Sequence, residues 1–197
     1  NHSEYRNIFF DDLIGIPNKK KLNITSQEEQ TFKEKAFQFL GEAVDEHKNI
    51  YPEKDWIVEV TNDYNAYDKL YGNVYDEKGK KIIPHETRLG FYKRIGDKEK
   101  PFICIHPDVY LCAGGMGKFN HQLQGKVAMV HEINHAIRKG FAVWIGNEKE
   151  QRKIEDGIAE IKARVWVLRK EKVNYNELAR LQSYREESGM MLMQLMR

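Results

Sequence analysis

Two histidines and a glutamate stand close together in the segment VHEINHAIRKG (residues 130–140). His131 and His135 are four positions apart, and Glu132 directly follows the first histidine. In a helix, residues at i and i+4 project from one face about one turn apart, so both imidazoles can reach the same ion. Neutral imidazole is a common zinc ligand, and Glu132, about 100° around the helix, can serve as general base toward a water on that ion. The spacing predicts a catalytic zinc site.

The helix that carries this motif has recognisable ends in the sequence. Asn120 is a residue type that caps helix N-termini, and Gly140 is the type that most easily adopts the left-handed C-terminal cap. Val127, Ala128 and Val130 are apolar, as expected of a helix buried beneath a cleft. A three-residue pattern also arises by chance, and the alternative is a surface helix that happens to carry a histidine pair.

A zinc site of this kind needs a third protein ligand, which the next predicted helix can supply. That helix covers NEKEQRKIEDGIAEIKARVWVLRKEK, beginning at Asn147 with Glu150 as its capping partner. Its main apolar stripe is predicted to be the buried one and consists of Ile154, Ile158, Ile161, Val165 and Leu168. A second stripe adjoins the first and consists of Asp156, Glu160, Ala163 and Val167.

Glu160 on this second stripe is the expected third metal ligand. It is predicted to be half-buried beside small residues, because Gly157 and Ala163 allow a close approach to the first helix. Asp156, one turn earlier, is expected either to accept a hydrogen bond from a ligand histidine or to be the ligand itself. Glu155 falls on the other side with Lys162 and is predicted to face solvent.

The segment HEINHA followed by a helical glutamate resembles the zincin metallopeptidases, in particular their gluzincin branch. The resemblance implies zinc bound by His131, His135 and Glu160, with Glu132 as the base in peptide hydrolysis. EIKARVWV (residues 160–167) is also similar to the Glu-x-x-Ala-x-x-aromatic segment of the ImmA/IrrE-type metallopeptidases. The chain departs from the thermolysin-like pattern, since Arg164 stands where an aspartate is expected. The resemblance covers about residues 101–170, including the strand that in zincins borders the cleft and pairs with extended substrate.

The remaining elements predict an α+β fold with a small, mostly antiparallel sheet packed on the motif helix and on further C-terminal helices. Thr25 and Ser26, followed by Glu28 and Glu29, mark the start of a helix that runs to about residue 49. Strands are predicted at residues 55–60, 88–95 and 101–111, with a hairpin turn around Gly79. The whole chain is expected to form one domain, in which residues 1–24 are an N-terminal arm and about 101–170 the catalytic core.

Three further polar residues lie in segments expected to frame the cleft. His106, Tyr110 and His121 are candidates for stabilising the negative charge of the transition state, although lone residues of these types are more often structural. His47 and His85 are predicted to lie at the surface. The loop CAGGMGKFN (residues 112–120) does not fit a phosphate-binding loop, because Cys112 replaces the first glycine and Phe119 the hydroxyl residue.

The composition argues against two classes of partner, nucleic acid and the membrane interior. The chain has 197 residues, 41% of them hydrophobic, and a formal charge of +2 with its basic residues dispersed, which argues against nucleic acid. No apolar run approaches the ~18 residues of a membrane span. A chain that begins at Asn1 rather than Met favours an exported or cell-envelope location over a cytoplasmic one.

The expected partner is therefore a peptide or protein substrate, and the expected cofactor is Zn²⁺. The alternative is a non-catalytic binding or regulatory protein on a zincin scaffold. Cys104 and Cys112 are expected to be unpaired, and the Met-rich segment from residue 174 onward to be a further helix. The sequence does not decide the oligomeric state.

Overall fold

The computed structural model describes residues 16–50, 57–61, 63–95, 100–137 and 148–173. Within these ranges the protein is α+β, with six helices and a sheet of three strands. The helices are α1 (Ser26–Ile50), α2 (Tyr64–Tyr71), α3 (Pro84–Thr87), α4 (Pro107–Ala113), α5 (Phe119–Ile137) and α6 (Glu148–Lys170). The strands are β1 (Ile57–Val60), β2 (Gly90–Ile95) and β3 (Lys100–Ile105).

The sheet is mixed rather than mostly antiparallel, which corrects the sequence prediction. Its strand order is β1-β3-β2, with β1 parallel and β2 antiparallel to β3. The parallel pair is possible because the long stretch between β1 and β3, which includes α2, α3 and β2, provides the crossover that parallel strands require. As the central strand, β3 has a partner on each side, so it cannot also pair with an extended substrate. That part of the expectation from the zincins was wrong.

The predicted strand at residues 101–111 is in fact a strand followed by a helix. Pro107 occupies the first turn of α4, where its missing N–H costs nothing. The His106 side chain caps this helix, because its Nδ1 accepts a hydrogen bond from the Asp108 N–H at 3.0 Å. Cys104 on β3 and Cys112 on α4 are consequently on different elements, and both are buried free thiols.

The two faces of β3 contact different helices, which explains why this strand is apolar throughout. Ile103 and Ile105 belong to the main core, together with residues of α1, α4, α5 and α6. Phe102 and Cys104, on the alternate positions, pack against Tyr67 of α2 on the other face of the sheet. The motif helix α5 therefore lies directly on the sheet, contacting both β2 and β3.

The sequence predicts the start of α1 correctly but not the start of α5. The reciprocal cap at α1 is confirmed: the Thr25 N–H donates to Glu28 Oε2 at 2.7 Å, and the Glu28 N–H to Thr25 Oγ1 at 3.2 Å. Helix α5 begins at Phe119, so Asn120 lies inside it and is not its cap. The predicted caps at Gly140 and Asn147, the N-terminal fifteen residues and the Met-rich segment lie outside the described residues.

The most deeply buried face of α6 is the second stripe, which the sequence placed beside the main one, rather than the main apolar stripe itself. Ala159, Ala163 and Val167 are completely buried, whereas Val165 of the supposed main stripe is 44% exposed. The small residues permit close packing of α6 on α5. The isoleucine stripe borders a groove of about 290 Å³ between α1, α5 and α6.

Two histidines predicted at the surface have specific partners. His47 is buried, which corrects the prediction, and its Nδ1 lies 2.6 Å from the Ala43 carbonyl oxygen. His85 is half-buried, with its Nδ1 2.6 Å from Asp68 Oδ2. Among the described residues no helix is long and apolar enough to cross a membrane.

Candidate metal centre

Helix α5 presents the two histidines of the motif to a common point. Nε2 of His131 and Nε2 of His135 are 2.9 Å apart, and the two rings meet edge to face with centroids 4.6 Å apart. His131 is 8% exposed and the His135 side chain 18%, so the pair is mostly buried rather than on a solvated helix face. The i, i+4 spacing read from the sequence therefore gives convergent nitrogen atoms.

Helix α6 brings Asp156 to the same point. Its Oδ1 atom lies 3.0 Å from His135 Nε2, and the three potential ligand atoms of His131, His135 and Asp156 are all within 4.8 Å of one another. The Asp156 side chain is 53% exposed, which leaves one side of the cluster accessible to solvent. In the part of the chain that the structure describes, no other group of three His, Cys, Asp or Glu side chains has its potential ligand atoms this close together.

Glu160, the expected third ligand, occupies a different position. Its Oε2 atom lies 2.8 Å from Nδ1 of His131, on the ring edge opposite Nε2, and its Oε1 lies 2.6 Å from Nε of Arg164. The stripe that holds Asp156 and Glu160 does face α5, as the sequence indicated. The crossing of the two helices, however, sets Asp156 beside His135 and Glu160 behind His131. This geometry favours the alternative in which Asp156, rather than Glu160, joins the two histidines.

The electrostatics keep both carboxylates ionised. Burial raises the pKa of Glu160, but hydrogen bonds and charge from His131 and Arg164 outweigh burial and hold that pKa below its usual value. For Asp156 burial again raises the pKa, and the hydrogen bond and charge of His135, together with the charges of His131 and Arg88, lower it further than burial raises it. An ionised Glu160 can only accept a hydrogen bond, so Nδ1 of His131 is the donor, and in the neutral form of that ring the lone pair lies on Nε2.

Glu132 lies on the side of α5 that faces β2. It is 6% exposed, and a Cβ atom built on Gly90 of β2 would be only 3.1 Å from its Cγ. A side chain at position 90 would therefore displace Glu132. The charge of Glu132 also contributes, after burial, to raising the pKa of Tyr67 on the opposite face of the sheet.

Strand β2 borders the cluster, and it contributes a residue that the sequence analysis missed. The ring of Tyr92 is nearly parallel to that of His135, with an interplanar angle of 14° and centroids 6.3 Å apart. Gly90 and Tyr92 face α5, whereas Phe91 contacts Tyr67 on the other face. The alternation of residues along the predicted strand places Gly90 and Tyr92 on one face. It does not specify that this face lies over α5.

The three candidates for transition-state stabilisation are not brought to the cluster. His121 precedes His131 by ten residues on α5, which is about 15 Å along the helix axis. Tyr110 is buried in the main core on α4. His106 contacts the Asp108 N–H and the His85 carbonyl, and its ring packs against Tyr64 and Tyr67.

The donor set at the cluster fits zinc. Two imidazoles and one carboxylate are a common ligand set of catalytic zinc, which retains a further position for water or substrate. Ligands about 2.0–2.2 Å from a tetrahedral zinc are roughly 3.3–3.6 Å from each other. The contacts of 2.9 and 3.0 Å are a few tenths shorter, and the exposed Asp156 side chain has room to move outward.

Comparison of the chain with models of known protein families, with curated proteins and with solved structures finds no match. The function is therefore inferred from the geometry of the site more than from the fold, because one fold can support many activities.

Proposed function

We propose that this protein is a zinc-dependent peptidase, with His131, His135 and Asp156 as metal ligands and Glu132 as the general base. The observation that supports it most directly is the convergence of three ligand atoms from two helices within 4.8 Å, with a buried glutamate next to the first histidine. A purely structural metal site has no need of that glutamate. The assignment replaces Glu160 by Asp156 as the third ligand.

The metal would supply Lewis acidity and a water of lowered pKa. The protein's own residues then have separate tasks. Glu132 takes a proton from the attacking water and returns it to the leaving amine, for which its position between α5 and β2 provides a confined, mostly buried environment. Tyr92 forms a wall beside His135 and so restricts how a substrate can approach the cluster.

A peptide is the substrate class that the sheet supports. Strand β2 has β3 on one side and is the last strand of the described sheet, and it lies over the cluster through Gly90 and Tyr92. An extended peptide can add to such an edge by main-chain hydrogen bonds, which would carry its backbone past His135. Main-chain pairing recognises peptides in general, so the specificity would come from side chains around β2.

The test is a comparison of zinc content and peptide cleavage in the wild type, Glu132→Gln and the control Glu155→Gln. Purified protein is expected to hold one zinc per chain and to cleave a mixture of unrelated unfolded proteins, with new N-termini identified by mass spectrometry. Glu132→Gln should retain zinc and lose cleavage by a factor of about 10² or more, whereas Glu155→Gln should retain both. Wild type without zinc, or cleavage that survives Glu132→Gln, would refute the proposal.

A further inference from the structure

We infer that Arg164 is a positioning residue, which acts through Glu160 to hold His131 in the orientation and tautomer that present Nε2 to the metal. This inference rests on the proposed metal site and goes further, because it gives a role to a buried cation that the proposed reaction does not itself use.

The contacts form a continuous chain from α6 to α5. Arg164 Nε lies 2.6 Å from Glu160 Oε1, and Glu160 Oε2 lies 2.8 Å from His131 Nδ1. Arg164 is 5% exposed, so its guanidinium lies inside the protein rather than in solvent. Both oxygen atoms of Glu160 are thereby engaged, one by the arginine and the other by the histidine.

The position of Arg164 on the helix links it to the proposed ligand. Asp156, Glu160 and Arg164 succeed one another at i, i+4 and i+8, so they form one row along α6. The row runs from an exposed end at Asp156 to a buried end at Arg164. One helix face thus supplies a metal ligand, a carboxylate behind a second ligand and the cation that fixes this carboxylate.

Burial of a charged pair is a poor means of gaining stability, since desolvation offsets most of the attraction between the charges. A role in orientation accounts better for the arrangement. With Arg164 in place, the Glu160 carboxylate cannot rotate toward the Nε2 side of His131 without breaking the arginine contact. Without Arg164, Glu160 becomes free to leave Nδ1 and to compete with Asp156 for the ion.

The alternative is that Arg164 serves only to join α6 to α5. The two roles differ in what they change. A purely structural arginine affects the stability of the metal-free protein, and affects zinc affinity only to the extent that folding is lost. A positioning arginine changes the tautomer of His131 and the coordination of the metal in protein that remains folded.

The experiment compares Arg164→Gln and Arg164→Lys with Arg169→Gln. The control removes the same charge from an exposed position in the last turn of α6. In metal-free protein, long-range ¹H–¹⁵N NMR spectra report the His131 tautomer. In Co²⁺-loaded protein the visible spectrum reports coordination, and zinc affinity is measured by competition with a chelator. Thermal unfolding of the metal-free variants shows which of them remain folded.

We expect wild type and Arg169→Gln to show His131 protonated at Nδ1, with matching cobalt spectra and zinc affinities. Arg164→Gln should give a mixture of tautomers, an altered cobalt spectrum and zinc affinity lower by about 10 to 100-fold, the range for residues that support a metal ligand. Arg164→Lys should recover part of the loss, because an ammonium keeps the charge without the planar contact. If Arg164→Gln does not fold, Arg164→Lys provides the same three measurements.

In the background Glu160→Gln, a further Arg164→Gln change should have little added effect on zinc affinity, because the two residues act through one contact. Unchanged tautomer and affinity in the Arg164 variants, or effects of Arg164 and Glu160 that simply add, would overturn the inference while leaving the metal site intact. Failure of the wild type to bind zinc would refute the proposed function instead, and the NMR measurement would still decide whether Arg164 sets the His131 tautomer.

Discussion

Oε2 of Glu160 lies 2.8 Å from Nδ1 of His131, behind the ring whose Nε2 faces His135. Asp156, four residues earlier on α6, contacts His135 Nε2 itself at 3.0 Å. At the proposed metal site these two carboxylates of one helix face would have different tasks, because they meet opposite sides of the histidine pair. A carboxylate behind a ligand histidine fixes its tautomer and raises its basicity, whereas one at the open side can bind the ion directly.

Replacement of these two carboxylates should therefore weaken zinc binding to different extents. We expect Asp156→Ala to reduce zinc affinity by several orders of magnitude, because it removes a ligand, and Glu160→Gln by about 10 to 100-fold. Chelator competition measures both, with Glu155→Ala as a control that should change little. The reverse ranking would restore Glu160 as the third ligand.

A methyl group at position 90 tests the placement of Glu132. In Gly90→Ala the new Cβ would lie 3.1 Å from both Glu132 Cγ and the Cys104 carbonyl oxygen, and of the two the side chain yields more easily than the sheet backbone. We expect the rate of peptide cleavage to fall by at least about tenfold, because the displaced Glu132 carboxylate is poorly placed as a base. A tenfold loss corresponds to roughly 1.4 kcal/mol of transition-state stabilisation. Zinc content should be unchanged.

The matched control for this variant is Gly41→Ala on α1, where a Cβ meets no atom within 4 Å. It should leave cleavage unaltered and stabilise the helix by about 0.5–1 kcal/mol. If Gly90→Ala cleaves peptides as rapidly as the control does, Glu132 does not need the space that the glycine provides.

The features that the sequence predicted correctly are those that depend on neighbours along the chain. The cap formed by Thr25 and Glu28 and the common face of His131 and His135 follow from helix spacing alone. The features that it missed depend on how elements meet. Helix spacing put Asp156 and Glu160 in one row but could not say which of them lies level with His135, since that is set by the crossing of α5 and α6.

In the sheet, too, local features are predicted correctly and the arrangement of the strands is not. Three strands were expected from local pattern and are present, but their order was not encoded locally. Gly90 and Tyr92 contact the site because β2 lies over α5, and the residue pattern of a strand does not specify which helix it lies over. The predicted strand at residues 101–111 is too long, because its apolar residues fit a buried helix as well as a buried strand and only Pro107 marks where the helix begins.

The buried face of α6 can be checked by substitution on each side of the helix. Ala163 is completely buried in the core, so Ala163→Leu should overpack it and lower the free energy of unfolding by about 1–3 kcal/mol. Val165 is 44% exposed, so Val165→Ser should change it by no more than about 0.5 kcal/mol. Urea unfolding measures both, and a larger loss for Val165→Ser would mean that the isoleucine stripe is the buried face after all.

His106 should make the protein less stable in mild acid. It is 1% exposed, and burial lowers its pKa from 6.5 to about 4, partly offset by the charge of Asp108. The folded state therefore keeps this ring neutral at pH values where the unfolded chain takes up a proton. Stability from this source is complete above pH 6.5 and is lost as the pH falls toward 4, by roughly 3 kcal/mol in all.

The variant His106→Asn isolates this contribution, because its amide oxygen can still accept from the Asp108 N–H at the start of α4 but does not titrate. We expect the variant to be less stable than wild type at pH 7.5, since its contact with the His85 carbonyl is altered. Between pH 7.5 and 4 wild type should lose about 3 kcal/mol more than the variant in urea unfolding. Parallel curves would show that His106 is not held neutral, because a ring that protonates equally in both states leaves no pH dependence of its own.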